Sequence, residues 1–399
     1  MENKLIEERF QKLKEYCISE SFKGYDPFDG LNSRFFDYFP FLRRNSFIKL
    51  AWIQFFKRSP ITFRKFAGIK KEYNPKGLGL FLSAYCNLYT IKPCTEYLNQ
   101  IHFFIERLML CQSKGYSGAC WGYNFDWQSK AFFQAKGTPS VVVTSFVGCA
   151  LLDAYELINN EELLEKAQSA CDFILTDLNR TYDKDGDFSF SYSPIDHTQV
   201  FNASLLGSRL LCRTYFHTRE PVLLEESKKV VSYVCKYQQK NGAWSYSPLP
   251  IHKWIDNFHT GFNLECIYTY QSISGDYSLR KQLEKGLDYY LNTFFEDSGL
   301  PKYYSNSKYP IDMHTTAQLI ITLSRLNLLA VHKELVERVL TWSLDNMFDK
   351  KKGYFYYYKE KYFTIKIPYM RWTQAWMFYA MSEYLLQSKN QQPVVQVYE

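Results

Sequence analysis

The chain has no run of 18 or more apolar residues, so no helix is expected to cross a membrane, which takes about 20. Its first stretch, MENKLIEERFQKLKEYC, lacks the apolar run of about 7–15 residues that marks a secretory signal. No CxxC pair exists: the ten cysteines stand singly at 17, 86, 94, 111, 120, 149, 171, 212, 235 and 266. Several fall on apolar helix faces, where a free thiol behaves as a small hydrophobe, so reduced cysteines in a cytoplasmic protein are expected. Helical HxxxH and HExxH spacings are missing too, which argues against zinc. No metal and no cofactor are expected.

Acid is scarce in one place. Between Phe41 and Gly77 ten basic residues face a single carboxylate, Glu72, a local excess of nine charges against +7 for the whole chain. Aromatic residues interleave with these cations at Phe47, Trp52, Phe55, Phe56, Phe63 and Phe66. Residues 41–77 read either as a solvated basic face on an outer helix, or as a peripheral contact with an anionic membrane or polysaccharide. No nucleic-acid recognition motif accompanies the charge.

Aromatics are abundant, 18% of the chain with 33 Tyr and 32 Phe. Half-buried tyrosines account for them as well as a groove that stacks on sugars does. The strongest signal is a period. Polar clusters feed apolar helices at DHTQVFNASLLGSRLL (from Asp196), IDNFHTGFNLECIYTY (from Ile255) and DMHTTAQLIITLSRL (from Asp312), and more loosely at TSFVGCALLDAY and MRWTQAWMFYAMSEYL. Equivalent positions Ser145, Asn202, His259, His314 and Arg371 are separated by 57, 57, 55 and 57 residues.

Amphipathic outer helices are predicted near 95–112, 161–178, 222–239, 278–295 and 333–347, and residues 2–17 form another. Less charged inner helices are predicted near 77–90, 141–157, 201–216, 258–272, 313–327 and 371–387. A glycine followed by aromatics closes each outer helix; Gly186, Gly242, Gly299 and Gly353 repeat the period and suit the left-handed position that ends a helix. The aromatics after them suggest short extended segments. Six hairpins with sparsely charged inner helices close into an all-α (α/α)6 toroid, whereas open solenoids repeat every 33 to roughly 47 residues. The organisation is one structural domain: residues 1–76 pack on the barrel, 77–390 form the toroid, and 391–399 are a tail.

In such a toroid the inner helices start at one end, where unpaired N–H groups favour polar ligands. Asp126, Asp196, Asp256, His259 and His314 are candidate catalytic residues at that mouth. Trp121, Tyr123, Trp127, Asn202, Trp254, Asn257, Tyr303, Asp312, Arg371 and Trp372 are candidate binding residues, with Tyr304 and Tyr369 nearby. Each Asp, Asn or Ser there also suits helix capping. Arg371 runs against the helix dipole, which points to an acidic partner. Asp26 and Asp29, in the turn-rich GYDPFDGLNSRFF, are close enough to share a site or to serve as turn formers. Glu265, two turns into its helix, is secondary.

On these residues the chain resembles the six-hairpin glycosidase superfamily, (α/α)6 toroids with sites at the inner-helix N-termini. YDPFDGLNS, NPKGLGLFLSAY, WGYNFDWQSK and FHTGFNLE resemble proteins encoded with bacterial capsule, exopolysaccharide or O-antigen genes. QQKNGAW is similar to the Q-x3-G-x-W repeat of terpene cyclases, but their DxDD acid motif is absent. The resemblance implies an oligosaccharide or polysaccharide partner and leaves three functions open. One is a glycoside hydrolase with paired carboxylates about 5–10 Å apart. Another is a uronate lyase or epimerase using His, Tyr, Asn and Arg. The third is a non-catalytic glycan scaffold, which would have a flat or filled mouth.

Overall fold

A helix ringed by other helices has no side left for water, which is why the inner stretches are apolar on nearly every face. The computed structural model, which describes residues 2–129 and 133–389, starts with helix α1 (Glu2–Ser19), then the short α2 (Phe35–Tyr38) and α3 (Ser46–Arg58). Helices α4 (Pro75–Ile91) and α5 (Thr95–Leu110), α6 (Val141–Ile158) and α7 (Glu161–Asp177), α8 (Phe201–Thr218) and α9 (Pro221–Lys236) follow in pairs. The pairs continue with α10 (Asn257–Ser274) and α11 (Arg280–Phe294), then α12 (Met313–Arg325) and α13 (Lys333–Asn346). A π-helical turn at Met370–Gln374 leads into the last inner helix, α14 (Ala375–Lys389).

The even-numbered helices from α4 to α14 pack side by side in order, and α14 packs on α4, which closes the ring. Helix α1 lies against α14 in the place of a sixth outer helix. The fold is an all-α (α/α)6 toroid with short extended segments in its loops. One boundary differs from expectation: the toroid's start at 77 falls inside the first turn of α4, which begins at Pro75. The tail expected at 391–399 lies outside the described residues. Helix α6 is long and apolar enough to cross a membrane, yet it is buried between α4 and α8 as part of the barrel core.

Side chains start four of the inner helices. Asn74, Ser140, Asp256 and Asp312 accept backbone N–H groups in the first turns of α4, α6, α10 and α12, satisfying donors that a helix N-terminus leaves open. The polar clusters that mark the repeat are therefore caps first. All these N-termini meet at one end of the barrel.

The repeating glycines do have left-handed backbones but do not cap helices. Gly242 (φ +92°) and Gly353 (φ +75°) lie several residues beyond the ends of α9 and α13, in turns packed on the backbone of the next outer helix. At Gly353 that next helix is α1, so the turn completes the outer ring. In the Q-x3-G-x-W stretch Gln238 donates to the carbonyls of Gly242 and Gln282, and the Trp244 indole donates to Val234. The motif is a staple between loop and helices. Alanine at 242 would need a disfavoured φ and would overlap the Lys285 carbonyl, so Gly242→Ala is expected to cost about 1–3 kcal/mol or more, measurable by chemical denaturation.

Candidate active site

Inner-helix N-termini and the loops around them enclose a cavity of about 290 Å³. Ten of the residues singled out from the sequence line it: Tyr123, Trp127, Asn202, Trp254, His259, Tyr303, Tyr304, His314, Arg371 and Trp372. Helix α3 folds over the mouth and contributes Lys57, while the first turn of α4 contributes Lys76.

His259 stands in the first turn of α10. Its backbone N–H and its Nδ1 are both held by the capping carboxylate of Asp256, at 3.0 and 2.7 Å. A carboxylate on Nδ1 fixes that nitrogen as the donor, leaving Nε2 for a ligand. The imidazole is positioned and backed as a general base needs to be.

His314 occupies the equivalent turn of α12 and is held differently. It is buried, 1% exposed, between the rings of Phe258 and Trp376 at centroid distances of 4.4 and 4.0 Å. Neither ring nitrogen has a hydrogen-bond partner among the described residues. Burial pushes its pKa well below the usual value, and Lys76, His259 and Arg371 push it further, so the ring is neutral at neutral pH. Two buried nitrogens left open at a cavity wall are costly unless something else satisfies them.

A sign follows for stability. A histidine whose folded pKa lies below its unfolded value of about 6.5 takes up its proton more readily when unfolded, so stability present above pH 6.5 is lost as pH falls through it. Between pH 7.5 and 5 the wild-type protein is expected to lose more stability than His314→Gln, read from urea titrations at both pH values.

Lys76 forms the floor, its ammonium 4.3 Å from the Phe146 ring centroid and 5.2 Å from that of Trp376. It has no carboxylate partner among the described residues. Burial lowers its pKa well below the usual lysine value, with Arg371 and Arg209 adding to the effect. Arg371 is 3% exposed and does find the acid that its position called for: Asp26 holds Nε and Nη2 at 2.5 and 2.8 Å. Asp29 beside it takes Arg64 at 2.7 Å and the Asp26 backbone N–H at 2.9 Å. Asp26 and Asp29 thus share a site, a double carboxylate that ties the N-terminal loop to the mouth. Burial pushes Asp29 up to about 6 despite Arg64.

Rings make the walls. Tyr123 stacks on Phe125, and its hydroxyl meets that of Tyr192 at 3.3 Å. Tyr246 stacks on Trp254 and leans on His259, and Trp372 is turned by an indole hydrogen bond to Asp312, 2.8 Å. The side-chain oxygen Oδ1 of Asn202 is buried without a partner among the described residues.

No carboxylate lines the cavity among the described residues, which corrects the expected acid pair. Asp126 turns away beside Lys49 and Phe133 and accepts the Lys136 backbone N–H. Asp196 is consumed by donors from Tyr192, Ser193 and Thr198. Asp256 and Asp312 cap their helices, and burial pushes Asp312 up to about 7. Trp121 is buried in the barrel wall and donates to Leu108, and Asn257 accepts from Tyr290. Ser145 is buried a turn deeper than the mouth, where Val142 stands instead. Tyr369 packs under Arg64. Glu265 lies below the floor, paired with Arg209.

Lys76 and Lys57 were missed. Lys76 is the second residue of its inner helix, like Asn202 and His314 in theirs, but it falls outside the 55–57-residue spacing that found those positions. Nothing local marks Lys57, which arrives through the folding of α3 over the mouth.

No family model and no curated protein sequence matches the chain. Solved structures do. Cellobiose 2-epimerase from Bacillus thermoamylovorans is 12% identical with a TM-score of 0.63, over 80% of this chain and 90% of that one. A sugar epimerase from a ruminal bacterium gives 14% and 0.63, over 82% and 91%. The GH76 α-mannanase of Bacteroides thetaiotaomicron gives 13% and 0.59, over 79% and 88%. These neighbours are members of the six-hairpin glycosidase superfamily, and at such identities what this chain has in common with them is the (α/α)6 toroid.

Proposed function

We propose that the cavity is the active site of a carbohydrate-processing enzyme that moves a proton at a carbon next to a carbonyl or carboxyl group, as an epimerase or isomerase does. One observation carries this reading: two imidazoles, one backed by a carboxylate and one buried with both nitrogens open, share a cavity wall that presents no carboxylate among the described residues. His259 Nε2 takes the proton. The electron pair moves onto the neighbouring oxygen, which neutral His314 polarises by hydrogen bonding while Lys76 and Arg371 stabilise the developing charge. Return of the proton to the other face gives an epimer; return to the adjacent carbon, with the neighbouring hydroxyl proton passing to the former carbonyl oxygen, gives an isomer. The tyrosine and tryptophan rings suit sugar faces.

The structural neighbours, two sugar epimerases among them, agree with a saccharide substrate. Hydrolysis through paired carboxylates and a non-catalytic scaffold both have less support, the first because Asp126, Asp196, Asp256 and Asp312 are bonded elsewhere, the second because the mouth is a cleft. The sequence stretches that resemble proteins of capsule and exopolysaccharide loci support a surface-polysaccharide setting, and ten unbridged cysteines support a cytoplasmic one. Purified protein should be incubated with neutral reducing sugars, oligosaccharides and uronates and followed by proton NMR and mass spectrometry. New anomeric signals at unchanged mass are expected; release of smaller sugars with uptake of water would sink the proposal.

A further inference from the structure

Helices α2 and α3 and the loop to residue 66 form a cap whose inner side packs Leu31, Phe36 and Ile53 beneath it. Its outer side is unusual for a water-facing surface. Phe41, Phe47, Phe55, Ile61, Phe63 and Phe66 are all exposed, Phe47 by 76% and Phe66 by 90%. Part of this surface is joined: ring contacts run from Phe41 through Phe39 and the half-buried Phe35 and Trp52 to Phe55 and Phe63, with centroid distances of 4.6–6.3 Å. Scattered exposed apolar residues need no explanation, but a joined patch marks a surface that something covers.

The same segment is cationic. Arg44, Arg58, Lys65 and Lys70 are exposed on this segment, and none forms an ion pair among the described residues. Only Asp37 and Glu72 carry negative charge between residues 33 and 77.

We infer that this face docks on an anionic lipid bilayer, its phenylalanines entering the headgroup–acyl boundary and its arginines and lysines meeting the lipid charges. A solvated basic face has no use for exposed phenylalanines. A second copy would bring like charge against like charge, and an acidic polysaccharide would satisfy the cations but leave the apolar rings in water. Phe and Ile, without hydroxyl or amide groups, suit hydrocarbon. The inference stands apart from the reaction, although α3 carries both Phe55 and the cavity residue Lys57, so the docked face and the mouth share one element.

Sedimentation with phosphatidylcholine vesicles, with and without about a third phosphatidylglycerol, tests it. The protein is expected to pellet only with the anionic vesicles and to be released at about 0.5 M salt. Phe47→Ser/Phe66→Ser and Arg44→Glu/Lys65→Glu are each expected to weaken binding at least tenfold. Their melting temperatures should stay at the wild-type value, since these side chains are exposed. Equal binding to both vesicle types, no binding to either, or double variants that bind like wild type would overturn the inference. So would a dimer that Phe47→Ser/Phe66→Ser dissolves without any vesicle binding, or binding confined to acidic polysaccharide.

Discussion

His259→Ala is expected to lower kcat/KM for the saccharide substrate by about 10²–10⁴-fold, the usual contribution of a positioned general base. The fold should survive, because the Asp256 cap still receives the backbone N–H of residue 259. Asp256→Asn separates holding from capping. An asparagine oxygen can still cap α10, but it no longer offers a carboxylate to Nδ1, so kcat should fall with little change in KM. His314→Ala is expected to lose activity on a similar scale without stranding a hydrogen-bond partner, since none exists among the described residues. Steady-state kinetics on the three variants distinguish a reacting group from a positioning one: unchanged rates in both histidine variants would remove the mouth from the chemistry.

Asp26→Ala is expected to cost about 3–5 kcal/mol of stability, because it leaves a buried guanidinium without its counter-charge. Arg371 and Asp26 are both almost fully enclosed, and the same aspartate also accepts the Phe28 backbone N–H and lends its carbonyl to Arg64. Loss of the carboxylate therefore loosens the N-terminal loop and the floor of the cavity together, so activity should fall with stability. Arg371→Met combined with Asp26→Asn removes both charges and should recover much of the lost stability, since replacing a whole buried ion pair is often nearly neutral. Activity should not return. Urea unfolding of the single and double variants measures the coupling; additive losses would mean that the pair contributes no interaction of its own.

The toroid was legible because its period is long and regular. Each hairpin repeats the same physical problem, an apolar inner helix to be started, capped and linked, so polar starters recur at nearly constant spacing. Counting along that spacing placed Asn202, His259, His314 and Arg371 at the mouth. It failed at Ser145, because α6 begins at Val141 and the counted position falls a turn inside the barrel.

The carboxylates misled for a related reason. An aspartate before a helix reads equally well as a cap and as an acid, and at Asp256 and Asp312 one oxygen caps the helix while the other takes His259 Nδ1 or the Trp372 indole. In the loops, Asp126 and Asp196 are held by nearby backbone N–H groups. The glycines were recognised as left-handed, but the turns that need them lie beyond the helix ends. Lys76 was absorbed into the basic stretch that precedes α4. Lys57 depends on a contact between α3 and the far side of the mouth, and no local pattern specifies such a contact.

Solvent exchange tests the proton-transfer account most directly. In D2O the wild-type protein should place deuterium on the carbon next to the carbonyl or carboxyl group of its sugar substrate, seen as loss of that proton's NMR signal, and His259→Ala should not. Turnover that leaves this position fully protonated, or that cleaves a glycosidic bond instead, would contradict it.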